Sequence, residues 1–131
     1  MITPVTPDKQ KSEALRKMAN TTLERLEKTN QEEYPSNTLL DYYEAMHNLL
    51  EALTLREGIK IKGEGAHQEL IDYVAKQRGL PEQTRQFLQQ PRDYRNRISY
   101  EGFMIRPQFI TSNMSQIKEI IVLLLEKVKE E

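Results

Sequence analysis

Chemistry in this chain concentrates between residues 76 and 106, where seven basic side chains face three acidic ones and six of the seven are arginine: Arg78, Arg85, Arg92, Arg95, Arg97 and Arg106. A planar guanidinium donates two parallel hydrogen bonds and fits phosphate better than an ammonium does. At about 100° per residue on a helix, with Tyr94 at zero, Tyr94 and Ile98 fall together and face a core. Arg92, Arg95, Asn96 and Ser99 then spread over roughly 100° to 200°, and Tyr100 follows near 240°. Two guanidiniums, an amide, a hydroxyl and a phenol thus project from one polar side, a set suited to gripping a phosphate or an RNA backbone. The plainer use of the same residues is structural: Arg95 and Asn96 would tie down a neighbouring helix end, and the basic block would lie against an acidic one. Arg97 points elsewhere, with Asp93 and Glu101 each four residues away, and reads as a solvated ion-pairing residue.

The chain has two histidines, His47 and His67, and no cysteine, so disulfide, thiolate and zinc-finger chemistry have no ligands here. Glu44-x-x-His47 and Glu64-x-x-His67 share the i, i+3 spacing that di-iron carboxylate bundles use. Glu64, however, lies between Gly63 and Gly65 and is not expected to be helical, so its pair would not project together. His47 sits beside an apolar arc and reads as a hydrogen-bonded structural residue, and His67 as a helix cap or a supporting group. No glycine-rich phosphate loop, HExxH or G-x-S-x-G segment occurs. No metal and no cofactor is implied.

The elements that carry these residues are helical. Leu15, Met18, Ala19, Thr22, Leu23 and Leu26 recur at steps of three and four, predicting a first helix capped by Asp8 or Ser12 and ending near Glu33, before Tyr34 and Pro35. A second helix opens at Ser36 to Thr38 and ends at Glu57, with Gly58 as its left-handed stop. Its apolar residues, from Leu39 to Leu53, cover about half the circumference, which suits a central helix or one that also serves a dimer interface. Ile59 to Gly65 reads as a loop with no strand partner. A short helix follows from Ala66 to Arg78, stopped by Gly79, and another opens at Pro81 and Glu82. Pro91 either kinks that helix or starts a new one that runs to Glu101. The last helix begins at Pro107 and carries Ile110, Met114, Ile117, Ile121, Leu124, Leu125 and Val128 at three-four spacing. The expected fold is all-α: an antiparallel up-down bundle of five to six helices in a single domain spanning residues 1–131.

Composition agrees with one ordinary domain. The 131 residues are 37% apolar and 30% charged, with a net charge of −1, too balanced for a disordered tail or a chain that coats nucleic acid. The balance hides an internal asymmetry: residues 34–75 carry a net −4 and residues 76–106 a net +4. The longest apolar run, Ile120 to Leu125, is far short of the roughly 20 residues that span a bilayer. The polar face of the last helix mixes both signs of charge, unlike a membrane-binding helix. Neither a span nor a secretory start is evident, and a cytoplasmic protein is expected.

The octapeptide Arg95-Asn96-Arg97-Ile98-Ser99-Tyr100-Glu101-Gly102 resembles the signature of the HEPN family, small helical-bundle proteins in which an arginine, usually followed by asparagine, precedes a histidine by four to six residues. The likeness extends to the order of elements over nearly the whole chain: two long helices, a glycine-bounded loop, the Ala66-His67-Gln68-Glu69-Leu70-Ile71 helix start, the Arg-Asn helix and a closing amphipathic helix. The resemblance implies a homodimer whose Arg-Asn helices meet across a cleft that binds RNA or nucleotide through Arg92, Arg95, Asn96, Ser99 and Tyr100. It also implies metal-independent ribonuclease chemistry, with Arg95 stabilising charge on the phosphate and the residue at position 100 handling protons. That residue is Tyr100, and a phenol with a reference pKa near 10 is a poor base at neutral pH, so a weak or inactive ribonuclease is expected. Tyr100 would instead bond a phosphate or stack on a base. Some toxin members of the family pair with a minimal nucleotidyltransferase antitoxin that modifies a tyrosine two residues past the histidine; that position here is Gly102. Such a partner remains implied, and the alternative is a non-catalytic bundle whose arginines dock an acidic protein.

Overall fold

The computed structural model describes residues 1–129. Five helices and one two-stranded sheet make up the fold: β1 (Ile2–Pro4), α1 (Lys9–Glu27), α2 (Pro35–Glu57), β2 (Ile59–Ile61), α3 (Ala66–Gln77), α4 (Glu82–Glu101) and α5 (Pro107–Lys129). The centre is α2. It packs against α1, α3, α4, α5 and β2, and its Leu39, Ala45, Met46, Leu49, Leu50, Ala52 and Leu53 are almost completely withdrawn from solvent. The wide apolar arc expected of the second helix has this physical basis: a helix with neighbours on several sides cannot keep a narrow stripe.

Local chemistry sets most of the helix ends. Asp8 accepts a hydrogen bond from the Lys11 backbone N–H at 2.9 Å and caps α1. Ser12, the other candidate cap, is buried and donates to the Ala52 carbonyl at 2.7 Å, stitching α1 to α2. The first helix stops at Glu27 rather than near Glu33, because side chains capture its last carbonyls. Thr29 Oγ1 donates to the Arg25 carbonyl at 2.7 Å, and Gln31 Nε2 to that of Leu26 at 2.9 Å. Pro35 takes the first-turn position of α2, where a missing N–H costs nothing. Ser36, inside that turn, accepts instead from the Ile105 N–H at 2.9 Å and pins the connection between α4 and α5.

Residues 59–65, expected as an unpaired loop, are in part a strand. β2 pairs antiparallel with β1 in the register Ile2 to Ile61, Thr3 to Lys60 and Pro4 to Ile59, so the fold is not purely helical. Two three-residue strands, one of them ending in proline, carry too little alternation to be recognised locally. Gly58 joins α2 to β2 with φ of 84°, and an added Cβ there would lie 2.7 Å from the Val5 carbonyl. The left-handed stop is thus also the place where the chain's first segment approaches most closely. Pro91 neither breaks α4 nor starts a new helix; α4 is continuous through it, and the proline ring is buried. Beyond it, Tyr94 and Ile98 face inward as their spacing requires, packing with Phe103, Phe109 and Met114 around Leu39, Ile105 and Ile110.

Candidate functional site

Three helices bring the site together. Along α2, Tyr43, His47 and Glu51 follow one another at intervals of four and so lie on one side of the helix. His67 reaches them from the first turn of α3, and Arg95 with Ser99 from the C-terminal half of α4. Leu40, Tyr43, Glu44, His47, His67, Arg95 and Ser99 line an open groove of about 380 Å³. A smaller cavity of about 150 Å³ lies on the other side of the histidines, walled by His47, Glu51, Lys60, Ile61, His67 and Leu70. The two imidazoles border both spaces.

The rings are packed together. The His47 and His67 centroids are 4.2 Å apart with planes inclined by 29°, and Tyr43 lies within about 6 Å of both. The Tyr43 hydroxyl and His67 Nδ1 share a hydrogen bond of 2.8 Å. Burial holds the His47 imidazole down at about 4, helped by the neighbouring His67 and Arg95. The same cause, burial first and the charges of Arg95 and Arg92 after it, lowers His67. Both rings are therefore neutral at pH 7, each with one donor and one acceptor nitrogen. Burial pushes the Tyr43 phenol up to about 12, so it stays a hydroxyl throughout the physiological range.

At the far wall of the small cavity, Glu51 Oε1 accepts from Lys60 Nζ at 2.6 Å. Burial opposes ionisation of this carboxyl, but the Lys60 hydrogen bond and charge prevail and its pKa is lowered. The lysine comes from β2, so the strand pair is what sets it opposite α2.

The five expected binding residues do not all converge. Arg95 and Ser99 line the groove. Arg92 Nε donates to the side-chain amide oxygen Oε1 of Gln89 at 2.6 Å, and Arg92 lies close enough to act on Tyr43 and His67 through its charge. Asn96 accepts from Arg95 Nη1 at 3.1 Å; it positions the guanidinium and is not itself in the groove. Tyr100 is 78% exposed at the end of α4 and lines neither space. The basic block also divides: Arg85 is engaged by Asp72 and Glu82 and Arg78 by Glu57, whereas among the described residues no carboxylate is within ion-pair distance of Arg92 or Arg95.

Sequence reasoning passed over Tyr43, His47 and His67 as site residues. A polar line at four-residue spacing along an otherwise buried central helix was the available signal for Tyr43, His47 and Glu51. Nothing local announces that His67 would join them. Glu44 lines the groove, but Glu64 lies in an exposed turn, and no group of three or more histidine, aspartate or glutamate side chains converges as a metal site among the described residues. No described helix is long and apolar enough to cross a membrane.

Compared with known proteins, the chain matches no family model, no curated protein and no solved structure.

Proposed function

We propose that this chain is a HEPN-like protein that binds nucleotide or RNA in the groove between α2, α3 and α4, with the phosphate on Arg95 and Ser99 and with Arg92 at the margin. One observation carries the reading: two guanidiniums without carboxylate partners among the described residues sit beside a groove walled by aromatic and imidazole rings. An unpaired cation at a partly buried site is costly unless an anion accompanies it. Rings supply surface for a base to rest on. Asn96 fits as the residue that orients Arg95.

Metal-independent ribonuclease activity is weak or absent on this reading. Cleavage by attack of the 2′-oxygen needs one group to accept a proton and another to give one. At pH 7 the groove holds two neutral imidazoles and a phenol with a pKa near 12, so acceptors are present without a ready donor, and Tyr100 stands outside. The antiparallel up-down arrangement, the homodimer, the cytoplasmic setting and a nucleotidyltransferase partner belong to the same proposal.

A different patch favours a second reading, a non-catalytic bundle that docks an acidic protein. Tyr94, Phe103, Ile105, Arg106 and Phe109 surround a surface hollow of about 480 Å³, beside which Met104 is 72% exposed.

Affinity for RNA and its dependence on Arg95 separate the two. Neutralising about two phosphates implies that affinity for single-stranded RNA falls roughly tenfold between 50 and 200 mM salt. Arg95→Ala should then weaken binding tenfold to a hundredfold, the equivalent of about 1.5–3 kcal/mol for a charged hydrogen bond. Fluorescence anisotropy with labelled RNA measures both. Binding that ignores salt and Arg95 would eliminate the groove as the site.

A further inference from the structure

We infer that the small cavity beside the groove receives the base of a pyrimidine nucleotide whose phosphate lies on Arg95, an inference that rests on the groove being the phosphate site. Size is the first argument. At about 150 Å³ the cavity matches the volume in which a single six-membered ring such as benzene is accommodated. A fused purine exceeds it. The adjoining groove of about 380 Å³ is within the range of roughly 300–1,000 Å³ typical of small-molecule sites, and it has room for the ribose and phosphate. Because His47 and His67 border both spaces, the two adjoin at the imidazole pair, and the inferred ligand extends from Arg95 past that pair into the cavity.

Chemistry is the second argument. A dry cavity for an apolar ring would be lined by aliphatic side chains alone, but this one sets Ile61, Leu70 and Ala66 against the Glu51 and Lys60 ion pair. Glu51 Oε2 is 3.8 Å from His47 Nδ1, too far for a hydrogen bond, so one carboxylate oxygen keeps its accepting capacity. The Lys60 ammonium has two further N–H groups beyond the one it gives to Glu51. An acceptor beside a donor complements the edge of uracil, with N3–H between two carbonyls, and that of cytosine, with its amino group beside N3. The neutral imidazoles add donor and acceptor nitrogens without a charge that a neutral base would leave unbalanced.

Calorimetric titration with uridine, cytidine, adenosine and guanosine 5′-monophosphates, repeated with short oligouridine and oligoadenosine, tests this. The two pyrimidine nucleotides should bind at least tenfold tighter than the two purine nucleotides. Preference confined to the oligomers identifies an RNA strand as the source of the base, and preference among the mononucleotides identifies free nucleotide. Leu70→Phe, which fills the cavity, should abolish the preference while leaving residual phosphate-driven affinity. Glu51→Gln, which keeps the shape and removes the charge, should reduce it even if the larger residue impairs folding. Arg95→Ala should weaken all ligands alike and leave the preference intact. Equal affinity or tighter purine binding among the mononucleotides, together with no preference for oligouridine over oligoadenosine, overturns the base pocket and leaves the phosphate groove standing. Absence of binding by every ligand overturns both.

Discussion

Arg95 and Arg97 stand two residues apart on α4 and meet opposite surroundings. Arg97 lies over the Phe103 ring at 4.0 Å and within 3.7 Å of the Glu101 carboxylate, so both its charge and its flat face are engaged on the outer side of the helix. The ion pair with Glu101 was legible from their spacing; the ring beneath the guanidinium was not. Arg95 turns toward α2, where Asn96 steadies it and no described carboxylate neutralises it. The same contrast separates the two tyrosines of the site region. Tyr43 is buried and bonded to His67, whereas Tyr100 is exposed at the helix end. A residue type and its place in a motif do not assign its role; the helix it faces does.

The sharpest way to test the inner side is acid. His47 has a pKa of about 4 in the folded chain against about 6.5 when unfolded. Between those values the unfolded state binds the proton and the folded state does not, so stability rises with pH across that window. It is complete above about 6.5 and is lost as pH falls toward 4, by roughly 3 kcal/mol. The lowered pKa of His67 adds in the same direction. Urea unfolding followed at pH 4 and pH 7 should show this loss in the parent chain and a much smaller one in His47→Leu. An unchanged acid dependence in the variant would mean that His47 is not held in the neutral form by its surroundings.

The smallest effect is expected on the outer side. Tyr100→Ala removes an exposed side chain and should shift stability by no more than about 0.5 kcal/mol, with RNA affinity unchanged within twofold. A tenfold loss of affinity would place the phenol at the ligand after all and erase the distinction between the two sides of α4.

Much of the scaffold was legible from sequence because its causes are local. Apolar spacing, the Asp8 cap, the left-handed stops at Gly58 and Gly102 and the breadth of the α2 stripe each depend on a few consecutive residues. The features that were not legible have different causes, some of them distant in the chain and some as close as the next turn. Ile2 finds Ile61 across the length of α1 and α2, and neither strand has enough length to declare itself. The early end of α1 depends on Thr29 and Gln31 competing for its carbonyls. Pro91 left a kink and a new helix start both open, because proline removes one helical hydrogen bond; α4 runs unbroken through it with the proline buried. The Arg-Asn pair directed attention to α4, whose Arg95 and Ser99 line the groove. The histidines read as structural or supporting residues because each was weighed on its own helix, and only the approach of α3 to α2 stacks them.

The most direct test of a shared site for Arg95 and the imidazole pair is nuclear magnetic resonance of the histidine ring C–H groups during titration with short single-stranded RNA of mixed sequence. The expected result is a saturable shift of both the His47 and His67 signals, lost in Arg95→Ala while the fold is retained. Saturable RNA binding that leaves both histidine signals in place would contradict it, because the ligand would then be held somewhere other than the groove between α2, α3 and α4.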